Sequence, residues 1–164
     1  LFIALISALD YLHARRVVHR DVKGENLLVS EDLARLKLAD FNTARHLRES
    51  ASLTPMGPNA CSAPELLGGE SPSERSDIWG AGMCLHLMLC GRLPRRCRSA
   101  PDYDVSLQGQ IWEHVSGACK AALRRCLESS KSIRPAAMTL LQDPWLTGDP
   151  EEMRVSVPRS RSFS

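Results

Sequence analysis

The chain has 164 residues, 43% apolar and 24% charged, with a net charge of +2. These are the proportions of one ordinary globular domain with a real core. So small a charge makes no strong field for nucleic acid or a membrane surface, and neither is expected as a partner. Arg92, Arg95, Arg96 and Arg98, like Arg154, Arg159 and Arg161, read as a solvated loop and a solvated tail. No apolar run is long enough to span a bilayer. None of the six cysteines forms a Cys-x-x-Cys pair or a zinc spacing. Cys84, Cys90, Cys119 and Cys126 sit in apolar helical patterns, as small hydrophobes in a reducing intracellular compartment, the cytoplasm. Leu1 to Leu9 carry no basic leader or cleavage site, and a chain opening on leucine in mid-helix is expected to be a fragment.

Leu1, Leu5, Leu9 and Leu12 recur at helical spacing, with Ile3 and Ile6 on a second apolar face. This predicts a buried helix to about His13. Val17 to Val29 follows, an acid, a cation and an amide set between apolar anchors. Asp21 can accept a proton from an attacking hydroxyl. Lys23 can neutralise charge on a transferring phosphoryl group, and Asn26 can ligate a hard cation. The run His19-Arg20-Asp21-Val22-Lys23-Gly24-Glu25-Asn26 resembles the catalytic loop of eukaryotic protein kinases, and Lys23 resembles that of the serine/threonine branch.

Leu27-Leu28-Val29 reads as a strand, Ser30-Glu31-Asp32 as a turn, and Leu36 and Leu38, alternating with Arg35 and Lys37, as the return strand. The hairpin delivers Asp40-Phe41-Asn42 near Asn26. An aspartate and an asparagine facing one cavity are oxygen ligands for magnesium on nucleotide phosphates. The family motif is Asp-Phe-Gly, so by resemblance Asp40 is the metal-binding acid and Phe41 a packing residue beside His19. Asn42 stands where the family has glycine and is expected to tolerate left-handed backbone there.

Residues 43 to 62 lack periodicity and read as a mobile segment, ending in Ala63-Pro64-Glu65, which resembles the family's Ala-Pro-Glu motif. Ser50, Ser52 and Thr54 are either sites for an upstream kinase, whose phosphate would pair with Arg20, or plain polar loop residues. Pro58 replaces the family's threonine, removing a hydroxyl that would bond the catalytic aspartate and lysine. Leu66 to Pro72 reads as a loop. Ser76 is expected to cap a central core helix over Ile78 to Cys90, stopped by Gly91 and Pro94. Asp77 either bonds the catalytic-loop backbone, as the resemblance implies, or is a first-turn acid favoured by the helix dipole.

Arg95 to Gln110 shows no clear period. Ser116 predicts a cap for a helix with Ala118, Ala121, Ala122, Leu123, Cys126 and Leu127 on its apolar face, and Pro135 opens a short helix through Leu141. Trp112 to Ser116, Arg134-Pro135 and Asp143 to Leu146 resemble the end of a kinase domain, most like the calcium/calmodulin-dependent group. The resemblance implies an Arg134–Glu65 pair. Residues 147–164 read as a disordered tail rich in Ser, Arg and Pro.

The expected fold class is mainly α with a small β-hairpin, the C-terminal lobe of a protein kinase over residues 1–146. The sequence has no glycine-rich loop, no strand lysine and no partner glutamate, so this fragment alone is expected to be inactive. The resemblance implies ATP and Mg2+ as cofactors and a protein substrate. Asp21 and Lys23 are the implied catalytic residues. Lys23, Glu25, Asn26, Leu28 and Asp40 form the implied nucleotide site, with Asn26 and Asp40 on the metal and Leu28 under the adenine. Glu25 either reads a substrate arginine or is a simple loop acid. A pseudokinase used as a scaffold is the alternative, favoured by Asn42 and Pro58. A small-molecule phosphotransferase is disfavoured by Lys23, Ala63-Pro64-Glu65 and Arg134 together.

Overall fold

The computed structural model describes residues 1–47, 61–96 and 103–148. The chain opens with α1 (Phe2–Ala14), which buries Phe2, Leu5, Ile6 and Leu9. Leu1 and Ile3 lie about two-fifths exposed, so α1 buries one face rather than the two expected from its composition. β1 (Val17–Val18) leads into the loop that carries Asp21, and a 3-10 turn (Gly24–Asn26) leads out of it into β2 (Leu27–Val29). β2 pairs antiparallel with β3 (Leu36–Leu38), Leu27 opposite Leu38 and Val29 opposite Leu36. This is the expected hairpin. Its turn is set by Ser30 and Asp32, whose side chains accept the amides of Arg35 and Ala34.

β4 (Arg45–His46) returns antiparallel to β1. Two-residue strands have no period to read, so this pair has no signature in the sequence. Ser50, Ser52, Thr54 and Pro58 lie outside the described residues. α2 (Pro64–Leu67) begins within the Ala-Pro-Glu motif and occupies the start of the expected loop, with Pro64 in its first turn, where a missing N–H costs nothing.

α3 (Glu74–Cys90) is the core helix. Residues Ser76 to His86 are buried without interruption, so it is surrounded on every side. Its cap is Ser73, three residues before the expected Ser76. Ser76 is the third helical residue and reaches back to accept the Ser73 amide at 3.1 Å. Both serines belong to one capping box, and either reads as a cap from sequence. Gly91 ends the helix with φ of 71°, the left-handed conformation that glycine adopts freely.

β5 (Arg95–Arg96) and β6 (Tyr103–Asp104) pair antiparallel within the stretch that showed no period, and α4 (Gln110–Glu113) follows. The described strands thus form three two-stranded antiparallel ladders rather than one hairpin. α5 (Gly117–Cys126) starts at Ser116 as expected, the hydroxyl accepting the Cys119 amide at 3.2 Å. α6 (Ala137–Leu141) starts two residues after Pro135. α7 (Pro144–Thr147) runs into what was read as the start of the tail, because Asp143 caps it and Trp145 anchors it on Phe2 with ring centroids 5.9 Å apart. The rest of that tail, from residue 149, lies outside the described residues. α1, α3, α5, α6 and α7 enclose the core, and the Asp21 loop lies across the N-terminal half of α3.

Candidate active site

The Asp21 loop has no regular structure to hold it, so bonds from distant elements do. Asp77, in the first turn of α3 and 1% exposed, accepts the amides of His19 and Arg20, each at 2.9 Å. This is the loop contact the resemblance implied, and the first-turn placement beside the helix dipole holds at the same time. Arg20 has φ of 73°, a left-handed conformation that costs a non-glycine residue about 1–2 kcal/mol. The two amide bonds to a buried carboxylate offset that cost.

Close approach to α3 needs Gly80. A Cβ built there would lie 2.5 Å from the Val22 carbonyl oxygen and 2.8 Å from the Val22 Cβ. The absence of a side chain at Gly80 lets the loop rest directly on the helix.

Within the loop, Lys23 Nζ donates to Asp21 Oδ2 at 2.6 Å, and Asn26 Nδ2 donates to the same oxygen at 3.0 Å and to the Asp21 carbonyl at 2.8 Å. Asp21 and Asn26 are buried and Lys23 is half-buried. The hydrogen bond to Asp21 raises the Lys23 pKa against the opposing effect of burial, and the charges of Asp21, Glu25 and Asp40 add to it. The ammonium therefore stays protonated. It also lies within the electrostatic reach of both acids, Asp21 and Asp40.

Asp40 is stitched to the loop from several sides. The Asn26 carbonyl accepts the Ala39 amide at 2.9 Å, and His19 Nε2 bonds the Ala39 carbonyl at 3.0 Å. Thr43 Oγ1 donates to the His19 carbonyl at 3.0 Å. Phe41 packs edge-on against the His19 ring, centroids 4.9 Å apart, as the resemblance implied, although it is half exposed. The strained residue here is Asp40, with φ of 60°, and not Asn42. The expected burden on Asn42 is therefore absent. Its amide instead donates to Asp40 Oδ1 at 3.3 Å, an Asx turn that any residue but proline can complete.

Oxygen donors suited to a hard cation are present. Asn26 makes its two bonds to Asp21 through Nδ2, and its Oδ1 is the amide's acceptor oxygen. Asp40 is exposed beside it. A carboxylate and an amide oxygen, leaving room for phosphate oxygens and water, fit magnesium better than a site made of protein ligands alone. On the outer face of the hairpin, Leu28 is 59% exposed and lines a cleft of about 310 Å3 with Val29, Ser30, Arg35 and Lys37. Glu25 is exposed beside Lys23.

Below the site, Arg134 Nη1 and Nη2 donate to Glu65 Oε1 and Oε2 at 2.7 and 2.9 Å, with both side chains buried. Burial is the largest influence on Glu65 and raises its pKa, but the bonds and charge of Arg134, together with a backbone amide and Ser76, outweigh it and hold the carboxyl below its usual range. Ser76 donates to the same carboxylate at 3.2 Å. Cys61 has its thiol pushed up to about 11 by burial, and Cys84, Cys119 and Cys126 to about 12, so these sulfurs pack rather than react. Cys90 is only half-buried.

Three contributors escaped the sequence reading. Thr43 and Gly80 act through contacts that only the fold creates. His13 was read as a helix end, yet its Nε2 lies 2.9 Å from Asp77 Oδ2. A histidine in the last turn of a core helix, just before the loop, is the available signal.

Helices around a buried α3, a hairpin, and a loop pinned to the helix from below define the protein-kinase class of fold. A family model for the protein kinase domain matches residues 1–146, and the chain belongs to that family. It is 34% identical over 170 residues to the calcium/calmodulin-dependent protein kinase cmkA of Emericella nidulans, a match covering 97% of this chain and 41% of that protein. It is 30% identical over 164 residues to serine/threonine-protein kinase 33 of Bos taurus, covering 89% and 34%. It is 36% identical over 154 residues to serine/threonine-protein kinase DCLK3 of Mus musculus, covering 87% and 19%. The chain spans less than half the length of these relatives. Protein kinase domains in general use ATP and Mg2+. Among the described residues no helix is long and apolar enough to cross a membrane.

Proposed function

We propose that residues 1–146 are the C-terminal lobe of a serine/threonine protein kinase that transfers the γ-phosphoryl group of ATP to a protein hydroxyl. The observation that carries this reading is the convergence of Lys23 Nζ and Asn26 Nδ2 on one oxygen of Asp21, beside Asp40. The Asp21 carboxylate orients the acceptor hydroxyl and takes its proton as the new oxygen–phosphorus bond forms and the bond to the ADP leaving group breaks. Lys23, held protonated, neutralises charge on the migrating group. Asn26 Oδ1 and the Asp40 carboxylate would hold magnesium. That ion would supply charge neutralisation for the nucleotide phosphates. Leu28 offers an exposed apolar face for the adenine ring, and Glu25 an exposed acid for a basic group on the protein substrate. Phosphorylation of Ser50, Ser52 or Thr54 by an upstream kinase would add a charge able to pair with Arg20.

The test is phosphoryl transfer from radiolabelled ATP to a serine peptide by the full-length protein, with Asp21→Asn as control. Activity at least about a hundredfold above the control is expected for loss of a general base. Activity equal to the control would leave the scaffold reading, which Pro58 favours. The unstrained Asn42 no longer supports that alternative.

A further inference from the structure

We infer that Thr43 is a positioning residue for Asp40: the bond from its hydroxyl to the His19 carbonyl fixes the aim of the second acid. The inference rests on the kinase reading of the same site. Asp40 has φ of 60°, a left-handed backbone that a non-glycine residue keeps only while its surroundings enforce it. Ahead of Asp40 the hold is firm. The Ala39 amide donates to the Asn26 carbonyl at 2.9 Å, and His19 Nε2 bonds the Ala39 carbonyl at 3.0 Å.

Behind Asp40 the hold is thinner. The Asn42 amide donates to Asp40 Oδ1 at 3.3 Å, and the Ala44 amide donates to the Phe41 carbonyl at 3.0 Å. Both bonds join members of one turn, residues 40–44, and would travel with it. Phe41 rests edge-on against His19 but is 49% exposed. β4 pairs with β1 from Arg45 onward. Thr43 Oγ1 reaches out of the turn itself, donating to the His19 carbonyl at 3.0 Å. His19 is a fixed point, wholly buried, with its amide bonded to Asp77 Oδ2 at 2.9 Å. It therefore grips the segment on both sides of Asp40, by its ring before the acid and by its carbonyl after it. Asp40 cannot relax toward ordinary backbone without breaking one of these contacts. Relaxation would turn its carboxylate, and magnesium demands near-ideal octahedral geometry of its oxygen ligands.

Two replacements separate the hydroxyl from the rest of the side chain. Valine keeps the branched shape and loses the donor. Serine keeps the donor and loses the methyl group. In the full-length protein, Thr43→Val is expected to raise the half-saturating Mg2+ concentration for phosphotransfer about three- to tenfold, the range that one net hydrogen bond supplies. The KM for the peptide is expected to change less than about twofold, because Asp21 and Glu25 are untouched. Apart from turnover, hydrogen exchange at the amides of Asn42 and Ala44 is expected to quicken about three- to tenfold. Thr43→Ser is expected to lie within about twofold of the parent on both readouts.

Either readout left unchanged by Thr43→Val would overturn the inference, as would equal impairment in Thr43→Val and Thr43→Ser. Should the parent prove no more active than Asp21→Asn, the kinase reading fails by itself. The exchange comparison then decides: faster exchange in Thr43→Val alone sustains the hold on Asp40, and any other result removes it.

Discussion

Gly80 offers the sharpest test of how the loop is seated. In Gly80→Ala the new Cβ would stand 2.5 Å from the Val22 carbonyl oxygen, where ordinary contact begins at 3.4 Å. The obstacle is backbone on both sides, so the loop must rise by about 0.9 Å or α3 must bend. Alanine favours a helix over glycine by about 1 kcal/mol, and overpacking costs about 1–3 kcal/mol. The net loss of stability is then about 0–2 kcal/mol, a fall in Tm of no more than about 8 °C for a chain of this size. The rate is more sensitive. Val22 lies between Asp21 and Lys23, and a displacement near 1 Å costs on the order of a hundredfold. Gly82→Ala is the control. Two residues along the same helix, its Cβ would meet Cys126 Cβ and Leu127 Cδ2 at 2.8 Å, on the side of α5. It is expected to lower Tm comparably with kcat within about threefold. Steady-state phosphotransfer and thermal unfolding on both variants of the full-length protein decide the matter. A folded Gly80→Ala with undiminished kcat, or equal loss of kcat in both, would refute the claim that glycine there seats the loop.

The Glu65–Arg134 pair yields two further expectations. Arg134→Leu strands a buried carboxylate and is expected to cost about 3–5 kcal/mol in urea unfolding, with a loss below about 1 kcal/mol counting against a buried pair. The pair also makes stability depend on acid. Glu65 has a folded pKa below its ordinary value of 4.5, so its contribution is complete above that value and is lost as pH falls through the lower folded one. Urea midpoints are expected to drop on acidification below about pH 4.5, and to drop less in Glu65→Gln. A Glu65→Gln profile parallel to that of the parent would show that other carboxylates govern the acid limb.

How far the sequence disclosed this molecule depended on how local each feature was. The body and Gly91 stop of the α3 core helix, the β2–β3 hairpin and the Ser116 cap are written in neighbouring residues and stand where periodicity and cap chemistry put them, although α3 begins at Glu74 rather than near Ile78. The Asp77 anchor and the Glu65–Arg134 pair span 58 and 69 residues. They were legible only through family resemblance, since no spacing announces them. The β1–β4 pair, α2 and the β5–β6 pair are too short to carry a period. The Ser73 cap was displaced to Ser76 because a capping box presents two serines that exchange roles. The replaced glycine points to Asn42 as the left-handed residue, but the second acid, Asp40, takes that conformation itself, because Ala39 is tied on both sides before the chain turns.

With the left-handed backbone at Asp40 rather than at Asn42, the departure from the family pattern at Asn42 carries little weight. Replacing a glycine matters when the position needs a conformation that side chains resist. At Asn42 the backbone makes no such demand, so the substitution leaves the turn intact. The strain is carried instead at Arg20 and Asp40, one adjoining the first acid and the other being the second. Both are held by bonds to remote parts of the chain: Asp77 grips the first, and Asn26 with His19 grips the residue before the second. The geometry of the two carboxylates is therefore a property of the folded core, not of the thirteen-residue stretch that carries the catalytic motif. Substitutions at Gly80 or Asp77 should accordingly reach the chemistry as directly as many within the loop, and Asn42→Gly should leave it unchanged.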